Sequence, residues 1–121
     1  MRRGDALDPL LRQVLPLGLE LADVPGYVRD PVGDLDALTG PGVLHKYAGR
    51  ALLVTTGACA INCRYCFRRH FPYDDENASR GGFGPALAAL RGDASIDEVI
   101  LSGGDPLTLG DRRLGALLDD L

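Results

Sequence analysis

Cys59, Cys63 and Cys66 are the only cysteines in the chain and stand together as Cys-Ala-Ile-Asn-Cys-Arg-Tyr-Cys, a C-x3-C-x2-C run. Closely spaced thiolates on one loop suit an iron–sulfur cluster. Three of them, with no fourth, would cap three corners of a [4Fe–4S] cube and leave one iron open to a substrate or cofactor. The same residues carry a second reading. Cys66-Phe67-Arg68-Arg69-His70 is C-x3-H, so His70 could complete a Cys3His structural zinc site. An odd cysteine count in a chain without a signal-peptide pattern points to metal or catalysis rather than to disulfides.

Gly103-Gly104-Asp105-Pro106 is the second group with chemical potential. Paired glycines let the backbone approach a ligand without Cβ atoms in the way, and the Asp105 carboxylate can accept from a cationic amine. Taken alone, such a run is an ordinary strand-to-helix turn.

The flanking elements place both groups alike. Ala51-Leu52-Leu53-Val54-Thr55-Thr56 is a continuous apolar run, which predicts a strand covered on both faces, as in a parallel sheet. The cysteine loop follows it. A helix is predicted over 84–91, with Pro85 in its first turn and Leu87 and Leu90 inward. A second strand is predicted over 97–102, ending at the glycine pair. Asp111 is expected to cap a final helix with Leu114, Leu117, Leu118 and Leu121 on one face. Earlier in the chain, residues 6–15 predict a short helix capped by Asp8, with Pro9 in its first position and Leu10, Leu11, Val14 and Leu15 as its stripe. Residues 16–44, rich in Pro, Gly and Asp, predict an irregular wrapping segment with a short helix near Asp36.

The order strand, loop, helix, strand, loop, helix gives two βα units with both motif loops at the carboxyl ends of their strands, where active sites of α/β barrels lie. The expected division is a helical and irregular segment over 1–46 followed by the βα units over 47–121. Two parallel strands would leave unpaired edges, and the last helical pattern runs to Leu121 without a stop signal. The expectation is a longer protein with further βα units.

Composition narrows the class. A net charge of −4 speaks against binding nucleic acid by phosphate neutralisation. No apolar run reaches the roughly 20 residues that span a bilayer. Asp5, Asp8 and Pro9 interrupt what would follow a signal-peptide start at Met1-Arg2-Arg3. A cytoplasmic location is expected, and oligomeric state is not legible. Lys46 is the only lysine among thirteen basic residues.

The three-cysteine loop with its full spacing resembles that of the radical S-adenosylmethionine enzymes. So does an aromatic, Tyr65, before the last cysteine. The glycine turn, which follows by about 40 residues, resembles the element of that superfamily that binds the cofactor's amino group. A closer resemblance covers roughly residues 8–110. It lies in L-H-K-Y-A-G-R-A-L-L from Leu44, N-C-R-Y-C-F-R-R-H-F-P-Y from Asn62 and S-G-G-D-P-L from Ser102. These runs are similar to the lysine 2,3-aminomutase family, most of all to the branch that makes (R)-β-lysine for modifying translation elongation factor P.

The resemblance implies the amino-terminal part of a partial (β/α)6 TIM-type barrel. It also implies a [4Fe–4S] cluster on Cys59, Cys63 and Cys66, S-adenosylmethionine held near Tyr65, Gly103, Gly104 and Asp105, and pyridoxal 5′-phosphate near Tyr47 and Arg50. Arg68 matches the family's arginine for the substrate carboxylate. The implied reaction is the isomerisation of L-α-lysine to β-lysine, with flavodoxin or ferredoxin as the kind of partner that supplies the electron. The family's Schiff-base lysine lies beyond residue 121, and Lys46 does not match it, so no catalytic lysine is assigned. Three alternatives accompany this reading: an aminomutase acting on free lysine or glutamate in metabolism, a non-catalytic Cys3His zinc module, and an inactive fragment. His45 and His70 are read as hydrogen-bonded structural residues, and Arg64, Arg68 and Arg69 as possible counter-charges to the cluster.

Overall fold

The computed structural model describes residues 1–121 and divides into two compact units. One comprises Met1–Val32 with Ile61–His70, the other Gly33–Ala60 with Phe71–Leu121. The cysteine loop is shared out between them: Cys59 belongs to the second unit, Cys63 and Cys66 to the first.

The larger unit is a four-stranded mixed sheet in the order β1 (Leu38–Gly40), β2 (Val43–Tyr47), β3 (Arg50–Thr56), β4 (Glu98–Gly103). β1 with β2 and β2 with β3 are antiparallel, and β3 with β4 is parallel, with Leu53 opposite Leu101. The helix α1 (Gly84–Gly92) makes the crossover between β3 and β4, and α2 (Asp111–Asp120) follows β4. Side chains alternate across a strand, so Ala51 and Leu53 of β3 share one face. There they join Val43, Ala78, Ala86, Leu87, Leu90 and Leu117 in the buried core, with Phe83, Ile96, Val99 and Leu101 packed against it. Leu44 and Val54 are also buried, whereas Ile100 stands 38% exposed.

The predicted β3, α1 and β4 lie where the sequence puts them, with Pro85 in the first turn of α1 and Leu87 and Leu90 inward. Four expectations are corrected. β1 and β2 were missed: they occupy the end of the supposed irregular segment and the run from Val43, turning at Pro41-Gly42 and Ala48-Gly49. Consequently β3 is an interior strand and not an edge. In α2 the cap is Gly110, Asp111 is already helical, and no side chain caps it. Only Leu117 of that helix is buried, because Leu118 and Leu121 turn to solvent.

The smaller unit has no strand. The helix expected over 6–15 contracts to a 3-10 turn, Leu11–Gln13, because its leucines find no apolar partner to bury against. The cap of that turn is Leu10 rather than Asp8, although Asp8 Oδ1 still accepts from the amides of Leu10 and Leu11 at 2.9 and 3.1 Å. A second 3-10 turn covers Gly18–Leu21. In the larger unit, the helix expected near Asp36 is a third, Leu35–Ala37. No helix of the chain is long and apolar enough to cross a membrane.

Candidate functional site

In the larger unit the two motif loops are locked together at the carboxyl ends of β3 and β4. The Gly104 amide donates to the Thr56 carbonyl at 2.7 Å, and the Asp105 amide to the Ala58 carbonyl at 2.7 Å. Ala58 directly precedes Cys59, so this bond ties the glycine turn to the first cysteine. The Ala58 amide in turn donates to Thr56 Oγ1 at 3.1 Å. The glycines are what allow this approach. Gly103 has φ +117°, a conformation L side chains rarely adopt, and a Cβ on Gly104 would lie 2.7 Å from the Ala58 carbonyl carbon. The requirement for glycine is therefore already met by backbone packed on backbone, before any ligand is considered.

Asp105 also shapes its own loop. Its Oδ1 accepts from the Leu107 amide at 3.0 Å, capping the 3-10 turn Pro106–Thr108, and its carbonyl accepts from Thr108 Oγ1 at 2.7 Å. One carboxylate oxygen is thus committed to holding the turn. Tyr73 closes the arrangement, and sequence reasoning gave it no role. Its hydroxyl donates to the Gly103 carbonyl at 2.8 Å, its ring packs against Gly57, and Phe71 lies 5.0 Å away between ring centroids. Nothing local in Phe71-Pro72-Tyr73 signals a bond to a carbonyl 30 residues away.

Tyr47 and Arg50 sit at the other end of the same sheet, paired across the β2–β3 turn. The length of β3, about 20 Å at strand rise, separates them from the glycine turn. Tyr47 is 65% exposed, and the Arg50 guanidinium is ion-paired with Glu98, its partner in register on β4. In this chain the Arg50 cation is engaged by a carboxylate, in an ion pair that is open to solvent on both sides. His45 likewise meets Asp93 at 3.1 Å and Lys46 meets Asp34 at 3.0 Å. The Asp93 carboxyl is held below its ordinary value, first by the Ser95 hydroxyl and amide, with burial opposing and His45 assisting.

In the smaller unit, residues 61–70 are a series of tight turns that present Cys63 and Cys66. The Cys66 amide donates to the Cys63 carbonyl at 3.2 Å, and the Arg69 amide to the Cys66 carbonyl at 3.3 Å. Tyr65 is 75% exposed. Arg68 is only 8% exposed and lies 5.0 Å over the Phe67 ring. Arg64 and Arg69 both reach Glu20, another residue the sequence did not single out: Arg64 Nε pairs with its Oε1, and an Arg69 terminal nitrogen meets its Oε2 at 2.7 Å. Burial pushes the Glu20 carboxyl up, but the bonds from Arg69, Arg64 and the Leu17 amide together hold it below its ordinary value.

The donor set suits a cluster with one open iron. No disulfide joins any two of the three thiols, and Cys63 and Cys66 are exposed. Within neither unit are three or more His, Cys, Asp or Glu side chains gathered into a metal-holding group.

No family model matches the chain. Among curated proteins it is 46% identical over all 121 residues to the L-lysine 2,3-aminomutase of Escherichia coli, 42% identical to that of Haemophilus influenzae and 40% identical to that of Buchnera aphidicola. All of the chain is aligned in each case, against 35%, 36% and 36% of the relatives, so the chain spans about a third of their length. Fold and site define an α/β protein whose chemistry-bearing loops stand at the carboxyl ends of parallel strands. By sequence, the chain belongs to the lysine 2,3-aminomutase family of radical S-adenosylmethionine proteins.

Proposed function

We propose that this chain contributes the cluster-bearing and S-adenosylmethionine-binding portion of an isomerase that converts L-α-lysine to (R)-β-lysine for the modification of elongation factor P. The observation that carries the proposal is the similarity over all 121 residues to proteins named L-lysine 2,3-aminomutase. The run N-C-R-Y-C-F-R-R-H-F-P-Y supports the elongation factor P branch. The parallel β3–α1–β4 unit, with β4 as an edge strand, supports continuation of the sheet into a partial barrel.

Cys59, Cys63 and Cys66 would hold the [4Fe–4S] cluster. When bound, the cluster and S-adenosylmethionine supply one-electron chemistry at the sulfonium, driven by a flavodoxin- or ferredoxin-like donor. Every other contribution comes from this chain's own residues. Asp105 would offer its carboxylate to the amino group of S-adenosylmethionine, and the bond from its amide to the Ala58 carbonyl ties its backbone to the residue before the first cysteine. The exposed ring of Tyr65 offers a stacking surface for the adenine. Arg68, buried and lying over the Phe67 ring, would supply the guanidinium for the substrate carboxylate. Substrate and product are isomers, so the overall reaction consumes no reductant. Pyridoxal phosphate belongs to this reading through the family resemblance alone.

The test is anaerobic turnover by the intact protein supplied with S-adenosylmethionine, pyridoxal phosphate, a reductant and either lysine or glutamate, with products resolved by NMR. β-Lysine from lysine, and nothing from glutamate, is the expected result. Conversion of glutamate, or no conversion by protein carrying a full cluster, overturns it.

A further inference from the structure

We infer that Glu20 is the positioning residue for the segment that presents Cys63 and Cys66. The inference rests on the cluster reading above only for what that segment holds. The segment 61–70 has no buried apolar side chain of its own, since Arg68 is its one buried residue. Something other than apolar burial must fix its turns. Glu20 supplies a contact on each side of Cys66: Arg64, two residues before it, and Arg69, three residues after it, end on the two oxygens of one carboxylate. Arg69 also folds back onto the Arg64 carbonyl, so the loop around Cys66 is closed through side chains.

The anchor itself is held. The Leu17 amide donates to Glu20 Oε1 at 3.2 Å, fixing the carboxylate on the turn Gly18–Leu21. The Arg64 amide donates to the Gln13 carbonyl at 2.7 Å, giving the segment a second tie to the same stretch of chain. Glu20 is 44 residues from Arg64 and 49 from Arg69 in sequence, which is why no local pattern reveals it. The geometry also has an electrostatic consequence. Two guanidinium charges flank Cys66, and Glu20 neutralises part of them.

The experiment compares Glu20→Ala and Glu20→Gln with the parent in the intact protein. Amide hydrogen exchange is read first, without a cluster. In E20A, amides within 61–70 are expected to exchange about tenfold faster, the lower end for losing hydrogen bonds to a charged group. E20Q keeps one acceptor oxygen and falls between. Amides of β3 and β4 stay unchanged in both. After anaerobic reconstitution, iron passes to a chelator faster in the same order. The reduction potential moves positive in both variants, a sign that loss of packing alone would not dictate. Unchanged exchange within 61–70, or an equal rise in β3 and β4, overturns the role of Glu20. Parent protein that takes up no iron counts against the cluster reading instead, and the exchange comparison still decides for or against Glu20.

Discussion

The two units of this chain are held by different forces. In the larger, the buried residues are overwhelmingly apolar: Val43, Ala51, Leu53, Val54, Leu87, Leu90 and Leu117 form or line its core. In the smaller, the only buried residues are charged, Asp8 and Arg68, while Leu7, Leu19, Leu21, Tyr27 and Val28 stand exposed. The first gains its stability from removing apolar area from water. The second relies on carboxylates that collect donors: Asp8 takes the amides of Arg2, Leu10 and Leu11, and Glu20 takes two guanidinium groups. The first cysteine thus hangs from a sheet and the other two from a network of ion pairs, so the same perturbation should treat them differently.

Substitution in the core should show the contrast most strongly. Leu53→Ala empties a fully buried position and should cost about 2–5 kcal/mol in denaturant unfolding monitored on the sheet. A loss below about 1 kcal/mol, the range of a surface change, would mean that burial does not hold this unit. Next comes Gly104→Ala, whose Cβ would overlap the Ala58 carbonyl. Separation of the two loops should cost about 1–3 kcal/mol, as expected when the Gly104 and Asp105 amides lose their acceptors. It should also weaken S-adenosylmethionine binding, measured by equilibrium dialysis. Unaltered binding would detach the glycine turn from that role. Tyr73→Phe removes a single hydroxyl and should cost about 1 kcal/mol, read in the same unfolding experiment.

Acid should reverse the order of vulnerability. Asp8 and Glu20 are both held below their ordinary values of 3.8 and 4.5, Asp8 first by the Arg2 amide and then by that of Leu11. A carboxyl with a depressed folded pKa stabilises the fold above its unfolded pKa and loses that contribution as pH falls through the folded value. Below pH 4.5, then, amides in the smaller unit should lose protection before those of β3, once intrinsic exchange rates are corrected. Asp93 titrates in the same sense in the larger unit, but the apolar core there does not. Loss of protection in β3 at the higher pH would remove the distinction. Leu118→Ser should have the smallest effect, within about 0.5 kcal/mol, because that side chain is already exposed.

The division also explains which features were legible in the sequence. Continuous apolarity announced β3, and Pro85 with Leu87 and Leu90 announced α1. Each is a local pattern. β1 and β2 escaped because a three-residue strand beside Pro41-Gly42 leaves no alternation to count, and β2 mixes Val and Leu with His, Lys and Tyr. The leucines of 6–15 mimicked a helical stripe, but a stripe makes a helix only when something covers it. Glu20 and Tyr73 were invisible for another reason. Their partners lie 30 to 49 residues away, and a single carboxylate or phenol carries no periodicity.

The central claim is that Cys59, Cys63 and Cys66 hold a cluster with one iron left for S-adenosylmethionine. Electron paramagnetic resonance of the anaerobically reconstituted, reduced protein tests it most directly. About four irons per chain and a reduced-cluster signal that changes when S-adenosylmethionine is added are the expected result. A colourless protein with one zinc, or a signal indifferent to S-adenosylmethionine, would contradict it.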